Sequence, residues 1–340
     1  MSGRLELRRG VVVSTVPLLV DVGGEERPAW ADTTLLGEMH DGDEVVVNVA
    51  ALDLGLGSGG FDVVHVNLTR GLGKSADEGG GAHVMKLNYT SLQYPVEPIE
   101  PAEHQDGPAV PVGVLPLHGH LAPAAWAAAQ TRPGLKVGYV QTAGGALPGS
   151  LSRDVAELRE RGLLHGHITA GPAYGGEYEA LSVVGALDAA VGLGWNVVLI
   201  GPGPGIIGSE TDLGHGGMVA LDNAHAALSL RFPTLISPRL SSADPRERHR
   251  GLSHHTRTVL DLLLAPVNVA VPDNPNLPGA TDASDSLRTA SDGRHLIRTA
   301  AVDLDPYAAS GLPTTTMGRA LADDPLFFAA PLSAGRLLVE

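Results

Sequence analysis

Through the first quarter of the chain, apolar and polar residues alternate in short β-branched runs at 11–13, 18–22, 44–49, 61–66 and 84–87. A period of two, broken by glycine-rich turns such as 55–60, predicts strands of a small all-β barrel or sandwich over 1–94. The glycine-rich stretch 71–81 reads as a mobile loop. Residues 95–109 then bring Pro95, Pro98, Pro101 and Pro108 among several acids. Proline has no amide donor and resists both helix and ladder, so this stretch reads as a linker.

Beyond residue 110 the pattern changes. Apolar runs at 112–117, 136–141, 166–169, 196–200, 234–237, 268–271 and 295–300 alternate with helical segments near 122–130, 151–161, 177–191, 218–230 and 253–264. Strands separated by helices of this length predict an α/β fold over 110–340, a doubly wound, mostly parallel, Rossmann-like sheet. No period of 20–50 residues recurs, which excludes a solenoid. In a doubly wound sheet the loops leaving the strands' carboxyl ends share one edge, and ligands bind there where strand order reverses.

Composition narrows the function classes. A net charge of −15 and 4% aromatic residues leave little to attract or stack a nucleic acid, so none is expected as a partner. With no cysteine, thiolate nucleophiles, disulfides and iron–sulfur clusters are excluded. The run 11–20 after Arg4, Arg8 and Arg9 superficially resembles a signal peptide, but Glu6 and Pro17 interrupt it and alternation favours a strand. The most apolar long segment, 183–207, contains Asp188 and Asn196, so no membrane span is expected and the chain reads as cytoplasmic.

The unusual residues fall in the strand-end loops. Gly203, Gly205 and Gly208 form a GxGxxG pattern after a strand, yet Pro202 and Pro204 remove two amide donors and no acid ends the next strand. An anion cradle of backbone amides or a tight structural turn fits better than a dinucleotide site. Gly144 and Gly145 follow Thr142, and Thr211 lies in the long loop. Gly171, Tyr174, Gly175 and Gly176 lead into an expected helix whose first turn would hold Glu177 and Glu179. Those acids would complement the helix dipole, or Glu177 would act as a general base.

Histidines offer further chemistry. His118 with His120, or His254 and His255 with His215 and Asp212, have metal-ligand chemistry, but neighbouring helical histidines point apart and no HExxH accompanies them. Acid–base work or packing is the better reading, and no metal is assigned. Arg239, Arg246, Arg248 and Arg250 crowd around Asp244 in an otherwise acidic protein, which suits a carboxylate or phosphate or, equally, a set of ion pairs. Ser253 reads as a helix N-cap. GxSxG and P-loop motifs are absent, Lys74, Lys86 and Lys136 have no neighbours suggesting Schiff-base chemistry, and the residues name no cofactor.

Taken together, the segments 86–93, 144–148, 169–177, 201–217 and above all 244–256 (DPRERHRGLSHHT) make a recognisable set. The chain resembles a bacterial family catalogued only as domain of unknown function number 3866. The resemblance spans almost the full chain and implies one shared site without naming its chemistry. It also implies an aspartate where this chain has Ala143, and a Gly-Thr run where it has Ser209-Glu210-Thr211.

The expectation is therefore an enzyme that binds a small phosphate- or carboxylate-bearing ligand through the Gly171 and Gly201 loops and Arg239, Arg246 and Arg248. His254 or His255 would be its acid or base and Thr142 or Thr169 would orient the substrate. Lys86, Asn88 and Tyr89 of the β-domain would reach across the cleft. The other class is a non-catalytic metabolite sensor or assembly module using the same pocket. A homodimer is the commonest assembly for such a fold.

Overall fold

The computed structural model describes residues 4–56, 59–72, 81–105, 107 and 109–340. Parts of the 55–60 turn and most of the 71–81 segment therefore lie outside the described residues. The chain divides into two compact units, Met1–Gly80 and Gly81–Glu340.

In the first unit, strands β1 (Leu7–Thr15), β2 (Leu18–Val22), β3 (Glu25–Trp30), β4 (Glu44–Asn48) and β5 (Asp62–Asn67) close into a barrel in the order β1-β2-β3-β5-β4. Alternation places Val12, Val20, Val45, Val47 and Val64 inside, with short helices α1 (Thr33–Leu36) and α2 (Ala50–Asp53) between strands. No apolar run announces β3, since EERPAW opens with three charged residues and a proline. Pairing holds it in place, antiparallel to β2 and parallel to β5.

The second unit opens with a hairpin, β6 (Val84–Lys86) and β7 (Tyr94–Val96). The boundary thus lies ahead of the expected one. The stretch taken for a linker is tied to this unit instead: Ile99 N donates to Glu179 O, and Glu100 Oε1 accepts from the amides of Leu181 and Ser182. Prolines suit that role because an extended edge-hugging segment needs few donors of its own.

Eight parallel strands make the main sheet, in the order β11-β10-β9-β12-β8-β13-β16-β17. They are β8 (Val112–Val114), β9 (Val137–Thr142), β10 (Gly166–Ala170), β11 (Tyr178–Ala180), β12 (Val197–Pro202), β13 (Thr234–Ile236), β16 (Asn268–Asp273) and β17 (Leu296–Ala301). A two-residue pair, β14 (Leu240–Ser241) and β15 (Gly251–Leu252), brackets the arginine-rich loop, and another, β18 (Thr315–Thr316) and β19 (Arg319–Ala320), precedes the last helix. Along β12, Val198 and Ile200 enter one core while Val197 and Leu199 enter the other, the alternation of a sheet covered on both faces. Helices α5 (Val183–Gly192), α6 (Val219–Ser229), α7 (His254–Leu262) and α8 (Ala280–Ser291) serve the first core. Helices α3 (Leu121–Thr131), α4 (Arg153–Glu160), α9 (Asp305–Ala308) and most of α10 (Pro325–Leu337) serve the second.

Helix α10 carries no sequence periodicity because nearly all its residues are buried, between α3 and the sheet. Gly335 permits the approach to α3, since a Cβ there would sit 2.1 Å from Ala124 O. The expected helix over 177–191 is also corrected. Residues 178–180 form the edge strand β11, and the helix starts only at Val183, capped by Ser182 Oγ on Gly185 N.

From β8 the chain steps outward through β9, β10 and β11, returns to insert β12 beside β8, and continues through β13 on the other side. Strand order reverses at β8 and β12, so the loops following β8, β9, β12 and β13 surround the switch point.

Candidate functional site

At this edge two glycine loops interlock. Ala146 N donates to Pro204 O (2.7 Å), and a Cβ on Gly145 or Gly216 would lie 2.2 Å from Gly203 O or 1.8 Å from Gly144 O. These glycines are needed for backbone approach. Thr142, buried at the end of β9, accepts a hydrogen bond from Asn223 Nδ2 (3.1 Å). Gly205 adopts φ +74°, Gly208 bridges to His215, and Thr211 Oγ1 accepts from Gly214 N. Helix α6 begins only at Val219, well past Gly208, whereas a dinucleotide-binding turn would open a helix at its glycines.

That interlock delivers His215 to the start of α7. Ser253 caps the helix by accepting from His255 N, as expected. In the first turn, side chains lean back toward the amino end. His254 and His255 therefore turn toward His215 rather than apart, and their ring centroids are 4.4 Å from one another. The His255 ring stacks on His215 at 3.5 Å with planes 7° apart, and His249 stands 4.8 Å from His255 and 4.9 Å from His254.

Each ring is fixed differently. His215 Nε2 lies 3.0 Å from Asp212 O, so this nitrogen bears the proton and Nδ1 keeps its lone pair. His249 Nδ1 pairs with Ser253 Oγ (2.7 Å), and His255 Nδ1 faces Arg239 Nη1 at 3.4 Å. Neither nitrogen of His254 has a hydrogen-bond partner among the described residues; the Asp212 carboxylate is 3.6 Å from its Nδ1. Burial, reinforced by the neighbouring His215 and Arg239, depresses His255 to about 2, and burial with Arg239 depresses His249 to about 3. His215 and His254 are depressed by burial as well, His254 also by Arg248. The imidazoles are neutral at neutral pH.

Behind the rings lies an ionic cluster. Asp244, fully buried, accepts from Arg246 Nε and Nη2 (both 3.0 Å) and lies 3.4 Å from Nη2 of both Arg239 and Arg319. Burial alone would raise its carboxyl, but the Arg246 hydrogen bonds and the surrounding guanidinium charge hold it well below the usual range. Arg239 is buried and pushed down to about 10 by desolvation and by Arg246, so it is still a cation at neutral pH. Arg319 also binds Asp324 (3.0 Å), which accepts from Ser241 Oγ and Ser242 N. Arg248 meets the exposed Glu210 at 3.3 Å. Nothing local in the sequence pointed to Arg319 and Asp324, which are more than seventy residues from Asp244.

Other candidates sit apart from the histidines. In the 171–177 loop, Gly175 N and Gly176 N are spent on Glu179 Oε1 and Thr169 Oγ1, Tyr174 N on Leu147 O and Gly171 N on Ala180 O. Glu179, on β11 rather than in a helix turn, also accepts from Lys86 Nζ (2.5 Å), Tyr94 OH (2.9 Å) and Thr169 Oγ1 (2.8 Å). Lys86, buried and depressed by desolvation, thus fastens the β6–β7 hairpin to this loop. Glu177 pairs with Arg159 (2.8 Å) on the surface, and Tyr89 is exposed.

His118 and His120 lie in a short helical turn in the loop after β8. His118 donates through Nδ1 to Pro202 O (3.2 Å) and accepts through Nε2 from Ser152 Oγ (2.7 Å), while His120 pairs with Ser237 Oγ and packs on Phe327.

No helix among the described residues is long and apolar enough to cross a membrane. No curated protein and no solved structure matches the chain. A family model described as "Protein of unknown function (DUF3866)" matches residues 28–335, which takes in part of the barrel and nearly all of the α/β unit. The chain belongs to the DUF3866 family.

Proposed function

We propose that the chain is an enzyme that binds a small phosphate- or carboxylate-bearing molecule at the switch point and acts on it by acid–base chemistry of the histidine cluster. One observation carries this: neutral imidazoles and guanidinium groups meet at a single corner, where Arg239 Nη1 is 3.4 Å from His255 Nδ1 and Arg248 acts on His254. A neutral imidazole can take a proton from a substrate whose charge the arginines offset. His254 is the preferred acceptor, because neither of its nitrogens has a hydrogen-bond partner among the described residues. Arg246 is committed to Asp244 through two bonds and the buried Arg239 also pairs with it, so the half-exposed Arg248 is the group assigned to the anion, with Arg239 adding charge from behind. The glycine loops act here as the frame that positions His215 and α7.

Thermal melting of wild type and Arg248→Ala with inorganic phosphate and a panel of mono- and dicarboxylates tests the reading. A ligand at about a hundred times its Kd adds about 2.7 kcal/mol, or roughly 5–10 °C for a unit of this size. The shift should appear for one anion class and shrink in the variant. An equal shift in both proteins, or none in either, would remove the anion reading. With the ligand known, His254→Ala that binds but does not turn over marks an enzyme rather than a sensor.

A further inference from the structure

We propose that His215, His254 and His255 form a binding site for one divalent transition-metal ion of the zinc class. The inference rests on placing the reaction centre at this corner and changes one role there: a His254 that holds the ion no longer accepts the proton, which a metal-bound hydroxide would take instead. A lone pair free to accept a proton is equally free to bind a metal.

Four observations converge on it. One nitrogen from each ring lies within 4.8 Å of the others. Tetrahedral zinc, with Zn–N of about 2.0–2.1 Å, spaces its ligands about 3.3 Å apart, so the His215 and His255 rings, now stacked in near-parallel planes, would have to turn until their planes converge on the ion. His215 Nδ1 and both nitrogens of His254 are buried and have no hydrogen-bond partner among the described residues, a costly arrangement for polar atoms unless something binds there. The bond from His215 Nε2 to Asp212 O directs the Nδ1 lone pair inward, the outer-shell arrangement of metal-bound histidines. Finally, a Cβ on Gly217 would lie 3.1 Å from Nδ1 of both His215 and His255, so glycine leaves both rings the room to turn, although His255 Nδ1 now faces Arg239 and would have to give up that contact.

An all-imidazole set selects zinc, cobalt, nickel or copper over magnesium or calcium, which prefer oxygen. Arg239 stands beside His255, and its charge opposes a bare cation. An ion that carries an anion, whether hydroxide or the carboxylate or phosphate of a ligand, turns that repulsion into attraction. The geometry thus suits a metal and an anion together, with an exchangeable position shared by the ion and the arginines.

The test uses full-length protein purified without a histidine tag, stripped with a chelator, and titrated with Zn2+ and Co2+ by calorimetry and by visible Co2+ absorption. One equivalent should bind, with a tetrahedral Co2+ spectrum, and Mg2+ should not compete. His215→Ala and His255→Ala should each weaken binding at least about a hundredfold. Gly217→Val should weaken it about tenfold or more, with melting measured for every variant. Loss of binding in any variant that melts like wild type supports the site. If the histidine variants fail to fold, Gly217→Val decides. Absence of stoichiometric binding, or binding that all variants retain, overturns the proposal. Phosphate or carboxylate stabilisation of stripped protein that binds no metal would sink the metal site and leave the anion reading intact. Metal binding with no anion effect, loaded or stripped, would do the reverse.

Discussion

Replacing Asp244 with asparagine keeps the shape of a fully buried side chain and removes its charge. The carboxylate faces three guanidiniums: Arg246 through two 3.0 Å bonds, and Arg239 and Arg319 at 3.4 Å. Arg246 can turn to solvent and Arg319 keeps Asp324, but Arg239 is only 4% exposed and has no second carboxylate among its ion pairs. Removing one partner of a buried ion pair costs about 3–5 kcal/mol, chiefly through the charge left behind. For a unit of this size that lowers Tm by roughly 6–20 °C. Urea unfolding followed by far-UV circular dichroism should show a lower midpoint with unchanged slope. The Asp244 carboxyl is held below its ordinary value of 3.8, so its contribution is present above that pH and lost only as pH falls through the native value. The difference between variant and wild type should therefore be constant from pH 5 to pH 8. Adding Arg239→Met should recover part of the loss, because a buried apolar chain needs no counter-charge. A loss below about 1 kcal/mol, or no recovery in the double variant, would refute the view that Asp244 neutralises a buried cation.

His120 and His167 are buried and depressed to about 3, mainly by desolvation. Their neutral forms contribute full stability above the ordinary value of 6.5, and this is lost as pH falls from there toward 3. At pH 5.0 each should have forfeited about 2 kcal/mol, and a drop in unfolding free energy below about 1 kcal/mol between pH 7.5 and 5.0 would contradict the assignment. Gly138→Ala would place a Cβ 1.8 Å from Trp195, so a cost of about 1–3 kcal/mol or more is expected, with altered tryptophan fluorescence. Unchanged stability would mean the Trp195 ring moves freely. Ser253→Ala removes the cap of α7 and should cost about 1 kcal/mol, and it should also loosen His249, whose Nδ1 it binds. Proton exchange of the His249 ring followed by NMR should quicken, and an unchanged rate would show that the hydroxyl does not hold that ring.

Much of the architecture was legible in the chain. Each of the seven strand segments read after residue 110 holds a strand of the parallel sheet, and the central ones are apolar because a strand covered on both faces must be. Glycine turns and period-two runs likewise marked the barrel. Among the elements that escaped, three have a plain physical reason. Helix α10 is buried nearly all round and so has no polar face to set a period. Helix α8 is mostly polar, and β11 is a three-residue edge strand held by Lys86 and Tyr94 through Glu179.

For the candidate site, local pattern was enough to set the arginine-rich loop, the paired histidines, the capping Ser253 and the glycine loops in strand-end segments, where topology places ligands. How they combine follows from packing between distant segments. It turned His254 and His255 toward His215 and tied Asp244 to Arg319, contacts that depend on how the 203–217 loop and the segment before α10 pack against α7. It also closed the amides of Gly175 and Gly176 onto Glu179 and Thr169, because the pairing of β10 with β11 and the bonds from Lys86 and Tyr94 hold the Glu179 carboxylate over the loop.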